Sequence, residues 1–262
     1  MIQTVPDILA RIVATKREEV SAHSASLAEW ESAAQLRLSQ RRDFIQSLRS
    51  HTPAIIAEVK KASPSRGVLS PDFDPPQIAA AYESGGAAAI SVLTDAPYFQ
   101  GSLADLEAAR AAINLPVLRK DFTIATSQIV EAAAHSADAI LLIAAVLSER
   151  ELRDFREFAT RYSLAALVEV HNRPELDAAI ASGATLIGVN NRDLATFEVT
   201  LETSLRLAEH MPSGALLVSE SGIRDARDIA TLRAAGYQAF LVGEHLMKSG
   251  DPAATVKELV SE

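Results

Sequence analysis

The chain has 262 residues, is 48% hydrophobic and 23% charged, an ordinary globular composition with ample apolar material for a core. Lys plus Arg number 25 and Asp plus Glu 34, a formal charge of −9, which argues against a general nucleic-acid binder but leaves room for a small anion held by local cations. The absence of cysteine excludes disulfides, thiolate metal sites and a Cys nucleophile, and is compatible with a reducing cytoplasm.

The opening segment has no basic start and no continuous apolar stretch, so it does not read as a secretory signal. Ile8, Leu9, Ile12 and Val13 recur at helical spacing, with Arg11, Lys16, Arg17, Glu18 and Glu19 on the other face. Further helical stretches run through 26–38 and 43–50, so residues 1–50 read as a helical extension. From residue 54 a different rhythm begins. Short apolar runs occupy 54–60, 88–93, 116–120, 139–144, 165–170, 186–189, 216–219 and 240–242, with a helical stretch after each. Ser148 and Glu151 form a capping-box pattern, and Gly85, Gly183 and Gly236 fall where helices should stop. The longest apolar run, 139–147, is far short of the roughly 20 residues that cross a bilayer, so a soluble chain is expected.

Successive runs start 21 to 34 residues apart, the size of a repeating βα unit. The runs are apolar almost throughout, as for strands covered on both faces. Eight such units over residues 54–262 fit an α/β fold of the TIM (β/α)8 barrel type, with a doubly wound open sheet as the fallback. No linker divides the region, so a single barrel domain carrying the extension is expected.

In a TIM barrel the active site gathers at the C-terminal ends of the strands. Polar residues that end an apolar run are therefore informative. Glu58 and Lys60 end the first run and share a face. Lys120 ends the third, Glu169 lies in the fifth, Asn190 and Arg192 end the sixth, and Glu220 and Ser221 end the seventh. Any one of these could be a structural charge: Glu58 with Lys60 an ion pair, Arg192 a partner of Asp193 or Glu220. Five of eight strands carrying such groups at one end is a stronger observation, because buried charges persist when they satisfy one another or a ligand. The set suits acid–base chemistry on a polar substrate. Ser221, Gly222 and Gly243 follow the last two runs, where loops of this fold present backbone N–H groups to phosphate. The six histidines show no metal-ligand spacing and are expected mostly at the surface, and neither a GxGxxG nor a P-loop motif occurs.

The segments "IIAEVKKASPSRG", "SVLTD" with "YFQGS", "LRKDF", "LVEVH", "IGVNNRDL", "VSESGI" and "FLVGEHLM" together resemble the indole-3-glycerol phosphate synthase family, in family order and over effectively the whole chain. The resemblance implies a cytoplasmic enzyme of tryptophan biosynthesis that needs no cofactor and no metal. Its substrate would be the anionic phosphate 1-(2-carboxyphenylamino)-1-deoxyribulose 5-phosphate, converted by ring closure and loss of carbon dioxide and water. Lys120 matches the family's general acid and Glu169 its acid–base residue for dehydration. Lys60 matches the lysine that pairs with the anthranilate carboxylate. Glu58 and Asn190 match residues that orient the ribulose hydroxyls and the lysines. Arg192 and Glu220 match supporting residues of the pocket; Ser63, Ser221, Gly222 and Gly243 match positions in or near the phosphate and substrate sites.

Two departures stand out. His245 replaces a Ser common in the family and is expected to point outward. The run Ala125, Thr126, Ser127 replaces an Asp–Pro–Tyr-like helix start, where Thr126 or Ser127 could cap the helix. Lys61, one residue out of phase, is expected to face away from the pocket, and the Ser63–Leu69 stretch reads as a loop over the substrate. Another phosphate-binding barrel such as phosphoribosylanthranilate isomerase, or a catalytically silent barrel, is the alternative; the isomerase lacks the Glu-x-Lys-x-x-Ser-Pro motif. A monomer with no membrane or nucleic-acid partner is expected.

Overall fold

The structure, a computed structural model, describes residues 7–22, 27–64, 67–70 and 72–261. In chain order the strands are β1 (Ala54–Val59), the short β2 (Ala62–Ser63) and β3 (Gly67–Val68), β4 (Ala89–Leu93), β5 (Val117–Lys120), β6 (Ala139–Ile143), β7 (Ala165–Val170), β8 (Leu186–Asn190), β9 (Leu216–Glu220) and β10 (Ala239–Val242). β2 and β3 pair as a small antiparallel hairpin, and the other eight close into a parallel barrel. This is a TIM barrel, and each strand that the apolar runs predict lies within one residue of its observed bounds. The open-sheet fallback is excluded by the pairing of β1 with both β4 and β10.

The helices are α1 (Asp7–Ala22), α2 (Leu27–Leu36), α3 (Phe44–Ser50), α4 (Pro75–Ser84), α5 (Ala96–Phe99), α6 (Leu103–Ala111), α7 (Thr126–Ala134), α8 (Glu149–Thr160), α9 (Arg173–Ala181), α10 (Glu202–Ala208), α11 (Ala226–Ala234), α12 (Glu244–Met247) and α13 (Pro252–Val260). Many start on a side-chain cap that the sequence places one residue before the helix. Asp74, Asp95, Ser148, Asn172, Asp225 and Asp251 each accept a backbone N–H of the first turn and satisfy a donor that the helix leaves free. The start of α7 differs from expectation. Neither Thr126 nor Ser127 caps it; the Gln128 side chain reaches back and accepts from the amides of Ile124 and Ala125 at 2.8 and 3.1 Å. At the end of α4 the left-handed residue is Gly86 (φ +96°), whereas Gly85 is small because α13 packs on it.

Strand parity explains where everything points. On β1, Ala54 and Ile56 face the barrel interior while Ile55, Ala57 and Val59 face the helices. Side chains alternate across a strand, so Glu58 and Lys60 continue the interior face. The same alternation carries Leu118 to Lys120 on β5, Leu167 to Glu169 on β7, and Val218 to Glu220 on β9. The lower interior is thus filled by Ala, Ile, Leu and Val, and the chemistry sits on top of that floor. Phe44 and Leu48 of α3 join the same interior cluster and close the N-terminal end. α2 packs against α7, and α1 reaches the opposite end, where Ile8, Leu9 and Ile12 line the barrel mouth. Among the described residues no helix is long and apolar enough to cross a membrane.

Candidate active site

A cavity of about 850 Å³ opens at the C-terminal ends of the strands. All eleven residues singled out above lie on its wall: Glu58, Lys60 and Ser63 from β1 and the hairpin, Lys120 from β5, Glu169 from β7, Asn190 and Arg192 from the end of β8, Glu220, Ser221 and Gly222 from the end of β9, and Gly243 after β10. Lys61 is not on that wall, as its phase requires. The loop expected over the substrate is described up to Pro64 and again from Gly67; residues 65 and 66 lie outside the described residues.

Lys120 is the hub. Its Nζ lies 3.4 Å from Glu169 Oε2 and 3.7 Å from Glu220 Oε2. Burial disfavours the ammonium, but Glu169, Glu220 and Glu58 outweigh it and hold its pKa above the ordinary lysine range. Glu169 is buried, which would keep it protonated, yet Lys120, His171 and a hydrogen bond with Asn190 hold it well below the usual carboxylate range. Glu220 goes the other way. Burial and the charge of Glu169 push it up to about 8, so near neutral pH it is a protonated acid. Neither Glu220 oxygen has a hydrogen-bond partner in the protein, and both are shut away from bulk water at the cavity floor. Buried polar atoms of that kind are normally satisfied; the neighbouring Glu169 carboxylate is one acceptor for the protonated acid, and a ligand hydroxyl is another.

Glu58 and Lys60 do form the ion pair that the bland reading foresaw, and both also line the cavity. Burial raises the Glu58 pKa, but Lys60 and Lys120 together bring it below the ordinary value. The floor therefore holds two ammonium groups against two ionised carboxylates and one neutral acid. It carries no net negative charge, although the chain does, so the floor does not repel an anion.

Glycine makes this crowding possible. Gly188 lies inside β8 and Gly243 directly follows β10, and at these two positions a Cβ would fall on Glu220 Oε1 and Glu58 Oε1 respectively. After β9, Ser221 and Gly222 adopt successive left-handed conformations (φ +67° and +86°), turning the backbone at the rim. Arg192 pairs with neither Asp193 nor Glu220; its Nη2 lies 3.6 Å from Glu244 Oε2, and its amide donates to Asn190 Oδ1 at 3.0 Å.

Several wall residues were not foreseen. His245 lines the cavity instead of pointing outward, because the turn into α12 starts at Gly243 and keeps its first residues at the rim; Arg224 and Lys248 line the same side. Ile8, Leu9 and Ile12 showed their helical spacing, but nothing local says which surface an amphipathic helix will cover. Lys16 is buried on α1 and lies 2.7 Å from Glu19, 3.0 Å from Asp95 and 3.0 Å from Asp121. Of the described histidines only His210 is exposed, and His171 is nearly enclosed, its ring 2.9 Å from Glu175 and 3.4 Å from Glu169.

Residues 9–259 match the family model of indole-3-glycerol phosphate synthase. The indole-3-glycerol phosphate synthase of Dechloromonas aromatica is 49% identical over 97% of this chain and 98% of its own length. That of Koribacter versatilis is 49% identical over 87% of this chain and 94% of its own. Among solved structures, thiamine phosphate pyrophosphorylase from Pyrococcus furiosus superposes with a TM-score of 0.58 at 18% identity, covering 79% of this chain and 93% of that one, and shares the fold alone.

Proposed function

This chain belongs to the indole-3-glycerol phosphate synthase family, and from that premise we propose which residues perform the reaction. The enzyme is a carboxy-lyase of tryptophan biosynthesis: it closes the indole ring of 1-(2-carboxyphenylamino)-1-deoxyribulose 5-phosphate and releases carbon dioxide and water. The phosphoribosylanthranilate isomerase alternative is not favoured, since both relatives above are synthases.

Ring closure joins the aromatic carbon that bears the carboxylate to the ribulose carbonyl carbon. The carbonyl oxygen takes a proton and becomes a hydroxyl. Lys120 is the donor, because it is the charged acid at the centre of the floor. The C–CO₂ bond then breaks, its electrons return to the ring, and aromaticity is restored. Dehydration removes the new hydroxyl as water and a proton from the neighbouring ring carbon. Glu169, held ionised, is the base; Lys120 or the protonated Glu220 returns a proton to the leaving oxygen. Lys60 pairs with the substrate carboxylate until decarboxylation. Glu58 and Asn190 orient the sugar hydroxyls and the lysines. The phosphate lies on the side of Ser221, Gly222 and Gly243, with Ser63 and Arg192 beside it. On this reading the enzyme acts in the cytoplasm as a monomer and needs no cofactor.

The observation that carries this reading is the Lys120–Glu169–Glu220 cluster, one cation between an ionised carboxylate and a neutral acid at the cavity floor. The test is to add the carboxyphenylamino deoxyribulose phosphate to purified protein with no metal or cofactor and follow indole fluorescence. Product is expected at a rate proportional to enzyme; no product would overturn the assignment.

A further inference from the structure

The wall around Glu169 has a second layer that does not touch the cavity. His171 follows β7 two residues after Glu169 and lies behind it. Its backbone N–H and its Nδ1 both meet Glu175 Oε2, at 2.8 and 2.9 Å. Glu175 is itself fixed in the first turn of α9: its Oε1 accepts from Asn172 Nδ2 at 2.6 Å, and its amide donates to Asn172 Oδ1 at 3.0 Å. With Nδ1 committed to Glu175, Nε2 is left facing Glu169 Oε1 at 3.4 Å, buried and with no other partner. Glu169 Oε2 faces Lys120 on the far side. The order Glu175, His171, Glu169, Lys120 thus alternates negative and positive from the outer shell to the cavity.

We propose that His171, locked by Glu175, is a positioning residue that fixes Glu169 and keeps it ionised for the dehydration step. This rests on the reading of Glu169 as the dehydration base. A neutral His171 with its proton on Nδ1 would turn a lone pair towards the carboxylate; a charged one offers it an N–H. The charged groups facing His171 are Glu169 on β7, Glu175 on α9 and Asp193 after β8, all acidic. Burial works against the imidazolium, but Glu169 and Glu175 raise its pKa to about 10, so it stays charged across the neutral range. Glu169 in turn faces Lys120, Asn190 and Glu220. Without His171 it keeps Lys120 as its main cation and still feels Glu220, so its pKa rises.

The experiment is the pH dependence of kcat for wild type, His171→Gln and Glu175→Gln, with Glu169→Gln as reference. Losing an opposite charge at this distance moves a carboxylate by about one to three pH units, so the acid limb of His171→Gln should move up by that amount. KM should stay near wild type, and Glu175→Gln should move the limb in the same direction by less. In a single turnover at a pH below the shifted limb, His171→Gln should release carbon dioxide at the wild-type rate and form indole slowly. Superposable pH profiles for wild type and both variants would overturn the proposal. Should His171→Gln fail to fold by circular dichroism, the Glu175→Gln profile decides alone. If instead Glu169→Gln turns over normally, the assignment of Glu169 has failed, a different result from an unmoved limb in a chain whose Glu169→Gln is inactive.

Discussion

Gly188 and Glu220 form a pair in which the missing side chain of one makes room for the carboxyl of the other. The nearest atoms to an Ala side chain at 188 are the far end of the Glu220 side chain and the edge of Leu167, and the backbone there is not left-handed. Gly188→Ala is therefore expected to leave thermal stability near wild type while lowering kcat at least tenfold, because Glu220 must swing from Lys120; unchanged kcat would show that the position of Glu220 is immaterial. Glu220 also gives a pH-dependent stability with a definite sign. Its folded pKa, about 8, lies above the ordinary value of about 4.3, so its contribution is complete below about pH 4 and is lost as pH rises through 8. Glu220→Gln, which cannot ionise, should melt above wild type at about pH 9, and the difference should close at about pH 4. A constant difference across that range would contradict a raised Glu220. At this scale the sequence was legible by parity. Two residues apart on one strand means one face, which is why Glu58 with Lys60 and Asn190 with Arg192 could be paired in advance. His171 was missed because its spacing to Glu169 carries the same parity signal, yet a histidine at a strand exit looks like any surface residue until α9 brings Glu175 beneath it.

Among the elements, α1 is tied to the barrel by one buried cation. Lys16 is 3% exposed and sits among Glu19, Asp95 and Asp121, and Asp121 directly follows Lys120. Burial disfavours the ammonium, but these carboxylates raise its pKa above the usual range, so it is charged at any working pH. Lys16→Met leaves the carboxylates without their cation, which costs about 3–5 kcal/mol when a buried pair loses one partner. The variant is expected to lose that much stability in urea unfolding and to show a raised KM, since Ile8, Leu9 and Ile12 would no longer be held over the cavity. A KM equal to wild type would mean that α1 is only a structural strap. The strands and the long helices were readable from period and caps. The four-residue α5 and α12 were not, because a single turn has too few residues to show a helical period. The direction of α1 was not readable either: its partners Asp95 and Asp121 are some 80 to 105 residues away in sequence and meet only when the barrel closes.

For the whole molecule, the barrel was legible because eight apolar runs at nearly constant spacing admit few other topologies. The polar residues at their ends then had to converge, since a closed parallel barrel brings all eight C-terminal ends to one rim. What the sequence alone could not supply was the balance of charge there. A chain of net charge −9 builds a floor where Lys60 and Lys120 offset Glu58 and Glu169, while burial and the nearby Glu169 charge keep Glu220 neutral. That balance is a property of distances across the barrel. Lys120 and Glu169 serve different steps in the proposed reaction, so the most direct measurement is a single turnover that follows carbon dioxide and indole separately in wild type, Lys120→Ala and Glu169→Gln. Removal of a general acid or base costs about 10²–10⁴-fold. Lys120→Ala should therefore lose both signals to that extent, while Glu169→Gln should release carbon dioxide at near the wild-type rate and fail to form indole. Carbon dioxide release by Lys120→Ala at the wild-type rate, or its absence in Glu169→Gln, would contradict the assignment.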